Sequence, residues 1–522
     1  MRPASIHAEL PRLSGDAFSG ATVAGRADNH GQLLDGWRVV SVLTFLLQLV
    51  LGTSPLFAVI SLAIFLLTPT VIRMNGGISS MGSLLFVASY SKLFFIAQWV
   101  KILVGQPADS HLQAPVGTVF VLFMGVLVFM AAGMAIRVLF GRSSGLVSPP
   151  QDPRFLAGLA IVATLLTLFS IIARHLAGLS RAADAMAYEE GQGLVLLLYM
   201  ANLLPLAVAA TTARRAVLSE GKSFIDPWVL ATLLLTVLQG FWENVRLIML
   251  GGGIAFIATY LSYGGKIRLR HMAPVMAMVV LMQLIIFPLI DLQRGIERGL
   301  GVTSFLRETL NIASDLLDPF GRTLREEGLD SLYYSWDTRL YYGEPLGFLD
   351  RFSPNPLDEV VAFVQDSGTF GGETFLRQFL YAIPNVILQP LGIERPPRGG
   401  EILEYTILHT FTNMNYGVFA ETYAYFGDYL FIPVNIVILF FYLSGLGIIY
   451  GNGEKNYFLP FGFSTLYFTY CNSDIADIGP QVTIQSVMNL MILVAIIMAM
   501  GPMGRSRLRP EVRPEVRAEE RP

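Results

Sequence analysis

Between residues 240 and 430 this chain gathers the side chains best able to move a proton, grip an oxyanion or stack on a ring. Glu421 and His409 are the candidates for proton transfer, because a carboxylate or an imidazole can take a proton from a hydroxyl held within hydrogen-bond reach. Glu421 also suits a second role, as a negative charge in the first turn of a helix. His409 stands alone, and a lone histidine is usually structural or solvated. Arg246, Arg377, Arg395 and Arg398 offer planar guanidinium forks that bind phosphate oxygens two at a time and stay charged. Arg246 begins an apolar block, where a snorkelling arginine is the ordinary alternative. Arg377 sits on a helical segment with an apolar opposite face, so a solvated helix face competes there. Arg395 and Arg398 flank Pro396-Pro397, in a rigid turn or a plain surface loop. Tyr423 and Tyr425 can stack on a ring, although aromatics at a membrane boundary commonly act as anchors. No Cys/His spacing suggests zinc, and there is no HExxH and no DxD on an expected cytoplasmic loop. The chemistry expected is therefore free of metal and cofactor. The one cysteine, Cys471, cannot form an intrachain disulfide.

These residues depend on a frame dominated by apolar blocks. The chain has 522 residues, of which only 14% are charged; a soluble domain carries about 25%. The mean hydropathy is +0.55. The net charge of −3 gives no basic bias toward nucleic acid. Apolar blocks lie near 37–52, 54–72, 82–104, 116–140, 155–173, 193–212, 227–242, 245–263, 273–290, 431–450, 457–473 and 482–500. Each is close to the length a helix needs to cross a hydrocarbon slab of about 30 Å. The first two are separated only by Thr53, Ser54 and Pro55, and read as either a hairpin or one broken helix. The fold expected is all-α: a polytopic membrane protein of about 12 transmembrane helices with one large helical extracytoplasmic loop.

Lysine and arginine choose an orientation, since cytoplasmic loops are enriched in both. Arg137, Arg142 and Arg154 belong to one loop or its edges, and Arg214, Arg215 and Lys222 to the next. Lys266, Arg268 and Arg270 follow, then Lys455 and the arginines of the C-terminal tail. The 105–115 loop has neither residue type, and 474–481 carries only Asp474 and Asp477. Both termini are therefore expected in the cytoplasm. Residues 1–36 lack an apolar signal-peptide core and read as a loose cytoplasmic tail. Residues 503–522, rich in Pro, Arg and Glu, read as a disordered tail. The membrane domain divides into 37–290, with about nine spans, and 431–502, with about three.

Residues 291–430, between these parts, read as a folded extracytoplasmic helical domain. Asn355-Pro356 followed by Asp358 and Glu359 is a helix start, with acids set against the dipole. Further helices fit 304–317 and 374–383. Isolated charges within spans are few, chiefly Lys92 and Glu243.

The stretch from 384 to 451 resembles the O-antigen polymerase family, the Wzy-type polymerases of polysaccharide repeat units. The resembling residues are Ile383-Pro384, Pro390 and Pro396-Pro397, then Gly417, Phe419, Glu421, Tyr423, Phe426 and Gly427, then the span end at Gly445–Gly451. Upstream, the run from Glu243 to Leu261 with Gly264-Gly265-Lys266 looks like that family's arginine-started span and basic turn, with Arg246 as the matching arginine. The resemblance covers roughly 240–450. It implies glycosyl transfer, on the periplasmic face of a bacterial inner membrane, from a polyprenyl-diphosphate-linked oligosaccharide to another lipid-linked unit. The arginines would then neutralise the diphosphate, Glu421 or His409 would deprotonate the sugar hydroxyl, and Tyr423 and Tyr425 would stack on sugar. Membrane lipids and a chain-length regulator are the further partners implied. His409 ahead of Gly417–Glu421 partly echoes the related O-antigen ligases, which keeps a ligase as the neighbouring reading. A flippase of lipid-linked glycan is a different class; it would show internal repeats and charges near the midplane.

Overall fold

In the computed structural model, residues 36–77, 80–103, 105–140, 150–176, 203–242, 246–265, 354–378, 380, 388–394, 402–403, 406 and 417–450 are described. Among these residues all the regular structure is helical. The expected spans 273–290, 457–473 and 482–500, the helix at 304–317 and both tails lie outside them.

The first apolar pair is a hairpin of two helices, α1 (Gly36–Val50) and α2 (Pro55–Met74). Trp37 at the start of α1 donates from Nε1 to the Phe65 carbonyl, at 2.8 Å, halfway along α2. The next span, Met81–Leu103, is interrupted. It runs as α3 (Met81–Tyr90), a π-turn at Ser91–Phe95 that contains Lys92, and α4 (Ile96–Leu103). Then come α5 (Pro115–Phe140) and α6 (Pro153–Leu176). α2, the α3–α4 span, α5 and α6 are long and apolar enough to cross a membrane, so the chain is a membrane-type helical protein.

α7 (Leu204–Leu218) continues past the expected 193–212 block. Arg214 and Arg215 therefore lie in its last turns rather than in a loop. α8 (Pro227–Trp242) and α9 (Arg246–Ser262) complete a second packed group in which α7 touches α6, α8 and α9. The contact surface of α7 is Ala- and Thr-rich and buried. Small residues let backbones approach where no hydrophobic force drives helices together. Thr211 and Thr232 share a hydroxyl–hydroxyl contact of 3.1 Å across α7 and α8.

In the large segment, α10 (Asn355–Ser367) and α11 (Gly372–Gln378) form where helices were expected, although α11 stops short of 383. The cap is shifted: Pro354 is the N-cap and Asn355 the first helical residue. The last helical element, α12 (Val418–Tyr450), begins well before the expected boundary at 430/431. It packs on α5, α10 and α11.

Contacts between loops and helix ends fall into two sets. At one end, Asp109 accepts from the Ser54 amide at 2.9 Å and so holds the start of α2. Buried Lys101 donates to the Ala108 and Ser110 carbonyls at 3.0 and 2.6 Å, closing α4. Asp358 of α10 reaches the start of α5 at the same end. At the other end of α2 and α5, Arg137 donates to the Arg73 carbonyl at 3.4 Å. In the second group, Tyr263 beyond α9 donates to Gln151 ahead of α6 at 2.8 Å, and Phe224 meets Tyr260 edge-on at 4.5 Å. The segments flanking Arg154, Arg214 and Lys222 thus gather on one side.

Candidate functional site

α12 is two helices joined at Gly427, whose φ of 61° and ψ of −159° break the helix. That region of backbone space is open to glycine almost alone. The second part, from Asp428, contains the apolar span Leu430–Gly445. The first part, 418–426, does not continue its line. Asn435 Nδ2 donates to Thr422 Oγ1 at 2.7 Å, and the Phe419 and Phe431 rings lie 5.7 Å apart. In a straight helix 13 residues would separate Asn435 and Thr422 by about 20 Å. The chain therefore reverses at Gly427, and 418–426 folds back along the span as a half-helix. Tyr423 Oη donates to Asp428 Oδ1 at 2.7 Å across the bend.

Contacts at the two ends fix how deep the half-helix sits. Its late end is near α10 and α11. The Phe370 amide donates to the Ala424 carbonyl at 3.0 Å, and Phe375 meets Phe426 edge-on at 4.8 Å. Its early end reaches far down α5. Phe419 sits against Gly125, where a Cβ would lie 2.9 Å from the Phe419 ring and 2.6 Å from Tyr90 Oη, and its ring is 6.0 Å from that of Phe129. Gly125 is about 15 Å along α5 from Pro115. That is about half the thickness of a hydrocarbon slab. A side chain at 125 would press on both the Phe419 ring and Tyr90 Oη.

Glu421 is on this half-helix, and it is only 1% exposed. Every residue from Gly417 to Tyr425 is buried. The sequence reading set this stretch just outside a span; the structure sets it among the membrane helices. Glu421 does occupy the first turn, where the helix dipole favours its charge. A buried carboxylate there can receive a proton from any hydroxyl brought within hydrogen-bond reach.

Asp358 anchors the roof over this site. Its carboxylate is 2% exposed and accepts from the Gln113 amide at 2.6 Å, the Ala114 amide at 3.0 Å and Thr118 Oγ1 at 2.7 Å. Gln113 and Ala114 lead into α5, and Thr118 stands in its first turn. The acid read as serving the dipole of its own helix thus serves that of another, some 240 residues away in sequence. Val361 and Gln365 of α10 close against Gly117 of α5, so α10 lies directly on the bundle.

The other expected site residues are dispersed. Tyr425 is buried, with its ring edge-on to Phe370 and Phe375. Tyr423 is likewise buried, edge-on to Phe431 at 5.8 Å. Both rings pack inside the protein. Arg377 is 62% exposed and pairs with Glu373 at 2.8 Å, one turn earlier on α11, as a solvated helix face would. Arg246 is the first residue of α9. His409, Arg395 and Arg398 lie outside the described residues. No group of three or more His, Cys, Asp or Glu suited to a metal occurs among the described residues.

Asn435 is the residue the sequence reading overlooked. It is fully buried and bonds both Thr422 and the Phe431 carbonyl, the latter at 3.0 Å. Its signal was available: one amide in an otherwise apolar span marks a helix contact. Comparison with protein-family models, with curated proteins and with solved structures finds no match to this chain.

Proposed function

We propose that this protein is a membrane glycosyltransferase that polymerises lipid-linked oligosaccharide repeat units on the outer side of a bacterial inner membrane. One observation carries the reading. Glu421, the acid at the centre of the polymerase-like stretch, is held inside the membrane bundle under a roof made by the large segment. An ionisable residue within a membrane bundle is a functional-site candidate by default. The helix ends support the orientation: Asp109 and Asp358 cap helices at one end, where Lys101 is buried on two loop carbonyls, while Arg73 and Arg137 meet at the other. With arginine inside, the roof faces away from the cytoplasm.

The reaction balances without a cofactor. The acceptor hydroxyl gives its proton to the Glu421 carboxylate as its oxygen bonds the donor's anomeric carbon. The bond from that carbon to the diphosphate oxygen breaks, and lipid diphosphate leaves. Arg246, Arg395 and Arg398 are the cations expected to hold the leaving diphosphate; Arg377, engaged with Glu373 in solvent, is the weakest of the four.

The test is elongation of a synthetic polyprenyl-diphosphate repeat unit by purified protein in proteoliposomes. A ladder of products is expected. Glu421→Gln should lower the rate by about 10²-fold or more, the usual worth of a general base. Transfer only to a lipid A core acceptor would mean a ligase. Movement of the unit across the bilayer without elongation would mean a flippase.

A further inference from the structure

We propose that residues 417–427 are a re-entrant membrane segment, and that the group Glu421 acts on reaches it through the bundle, below the water interface. The inference rests on the reading of Glu421 as the proton acceptor, but its geometric part stands alone. α11 precedes the excursion and Gly427 ends it, and both lie at the Asp358 end. Phe375 of α11 touches Phe426, and a Cβ on Gly427 would lie 3.1 Å from Thr369 Cγ2. Between those points the chain has travelled to the level of Gly125 and Phe129. The stretch from Phe419 to Gly427 therefore rises to the end where α11 lies and does not itself span the bundle.

The depth is a membrane depth, because α5 shows outward apolar side chains on both sides of that level. Val116 and Phe120 are exposed above it, and Met134 and Val138 below it. Backbone that is not part of a full span is tolerated at such depth only when protein covers it or it lines a cavity. The half-helix meets that condition through complete burial from Gly417 to Tyr425. Interrupted helices that stop near the midplane are also how membrane proteins bring polar groups to a substrate inside the slab. Here Glu421 is the ionisable group so delivered, two residues from the deepest observed contact.

Two measurements on the full-length protein in proteoliposomes decide the matter. The first compares carbodiimides, which add to a carboxyl to give a stable acylurea with no group lost. Lipid-soluble dicyclohexylcarbodiimide should modify Glu421, read by peptide mass spectrometry, and should stop elongation. A water-soluble carbodiimide should modify exposed Glu373 at least tenfold faster than Glu421. Equal rates with the water-soluble reagent, or no modification by the lipid-soluble one, would overturn the proposal. The second places single cysteines in a Cys471→Ser background. Asp428→Cys and Glu373→Cys should react with a membrane-impermeant maleimide from the same side. Ala420→Cys should react from neither side until the protein is denatured. Labelling of Asp428→Cys and Glu373→Cys from opposite sides, or aqueous labelling of Ala420→Cys, would defeat the re-entrant placement. If both measurements turn out as expected for placement but no elongation occurs with or without reagent, the glycosyl-transfer reading falls and the re-entrant segment stands.

Discussion

Removing the Asp358 carboxylate should detach α10 and α11 from the membrane bundle, and the size of the effect follows from what the carboxylate holds. It accepts from two amides just ahead of α5 and one hydroxyl in its first turn, and it is almost wholly buried. In Asp358→Ala the Thr118 hydroxyl can turn back to a carbonyl of its own helix, as Thr164 and Thr167 do. The half-buried Ala114 amide has no such recourse, and an orphaned donor costs about 1–3 kcal/mol, whereas the amide of exposed Gln113 can turn to water. Loss of the negative charge from a partly buried helix start adds up to about 2 kcal/mol. The sum is about 1–5 kcal/mol, with a central value of about 3 kcal/mol. Asp358→Asn keeps one acceptor oxygen but turns an amide group toward a second donor, so about half that loss is expected. Limited trypsin digestion at Arg377 reads the opening directly, because cleavage of a transiently opened state tracks its population. About 3 kcal/mol of lost docking corresponds to roughly 10²-fold faster cleavage. A double-mutant cycle with Thr118→Val should return a coupling of about 0.5–3 kcal/mol, as for residues in one network. If Asp358→Ala leaves cleavage at Arg377 within about threefold of wild type, or about 0.6 kcal/mol, the cap does not hold the roof and the reasoning is wrong.

Three further outcomes are expected. Gly427→Ala should cost about 1–3 kcal/mol, because its backbone region excludes a side chain; a thermal midpoint in detergent unchanged from wild type would show that the bend survives in another form. Burial raises the Tyr263 phenol above its ordinary value. With the folded value raised, the neutral phenol's contribution is complete below about pH 10 and is lost as pH rises beyond it; Tyr263→Phe should therefore flatten the alkaline loss of thermal stability, and parallel curves would contradict this. Arg377→Ala should change stability by less than about 0.5 kcal/mol, since exposed pairs contribute little, and should leave elongation within about twofold; a large loss of elongation would restore Arg377 to the diphosphate site.

The long helices were legible because a span needs only a sufficient run of apolar residues. α2, α5 and α6 fall on the blocks at 54–72, 116–140 and 155–173. The π-turn at Ser91–Phe95 was not legible, since it alters hydrogen bonding without altering hydropathy. Asp358 was seen as an acid at a helix start, but its partners are Gln113, Ala114 and Thr118. No local pattern announces a cap supplied across so much chain. The stretch that carries Glu421 stood out in sequence, but its burial against α5 did not. Val418–Phe426 is too short to register as a span and too apolar to look like a loop, so it fell at the edge of one.

The back-folded half-helix joins polar side chains that along a straight helix would bond only within their own turns, Thr422 to the Val418 carbonyl and Asn435 to the Phe431 carbonyl. Along one continuous rod from Val418 to Tyr450, Thr422, Glu421 and Asn435 would each face apolar surroundings separately. Lipid supplies no partner for an amide, and an unpaired one is costly there. Reversal at Gly427 brings the Asn435 amide onto Thr422, next to Glu421. Intramembrane bonds of this kind contribute only about 0.6–2 kcal/mol each, so they cannot hold the fold alone. The ring pairs Phe419–Phe431, Tyr423–Phe431 and Phe375–Phe426 supply the packing, and the polar pair sets its register. Exchanging Asn435 for leucine should therefore keep a folded protein while loosening the alignment that presents Glu421. Elongation should fall more steeply than stability, and loss of both in proportion would show that Asn435 only holds the fold.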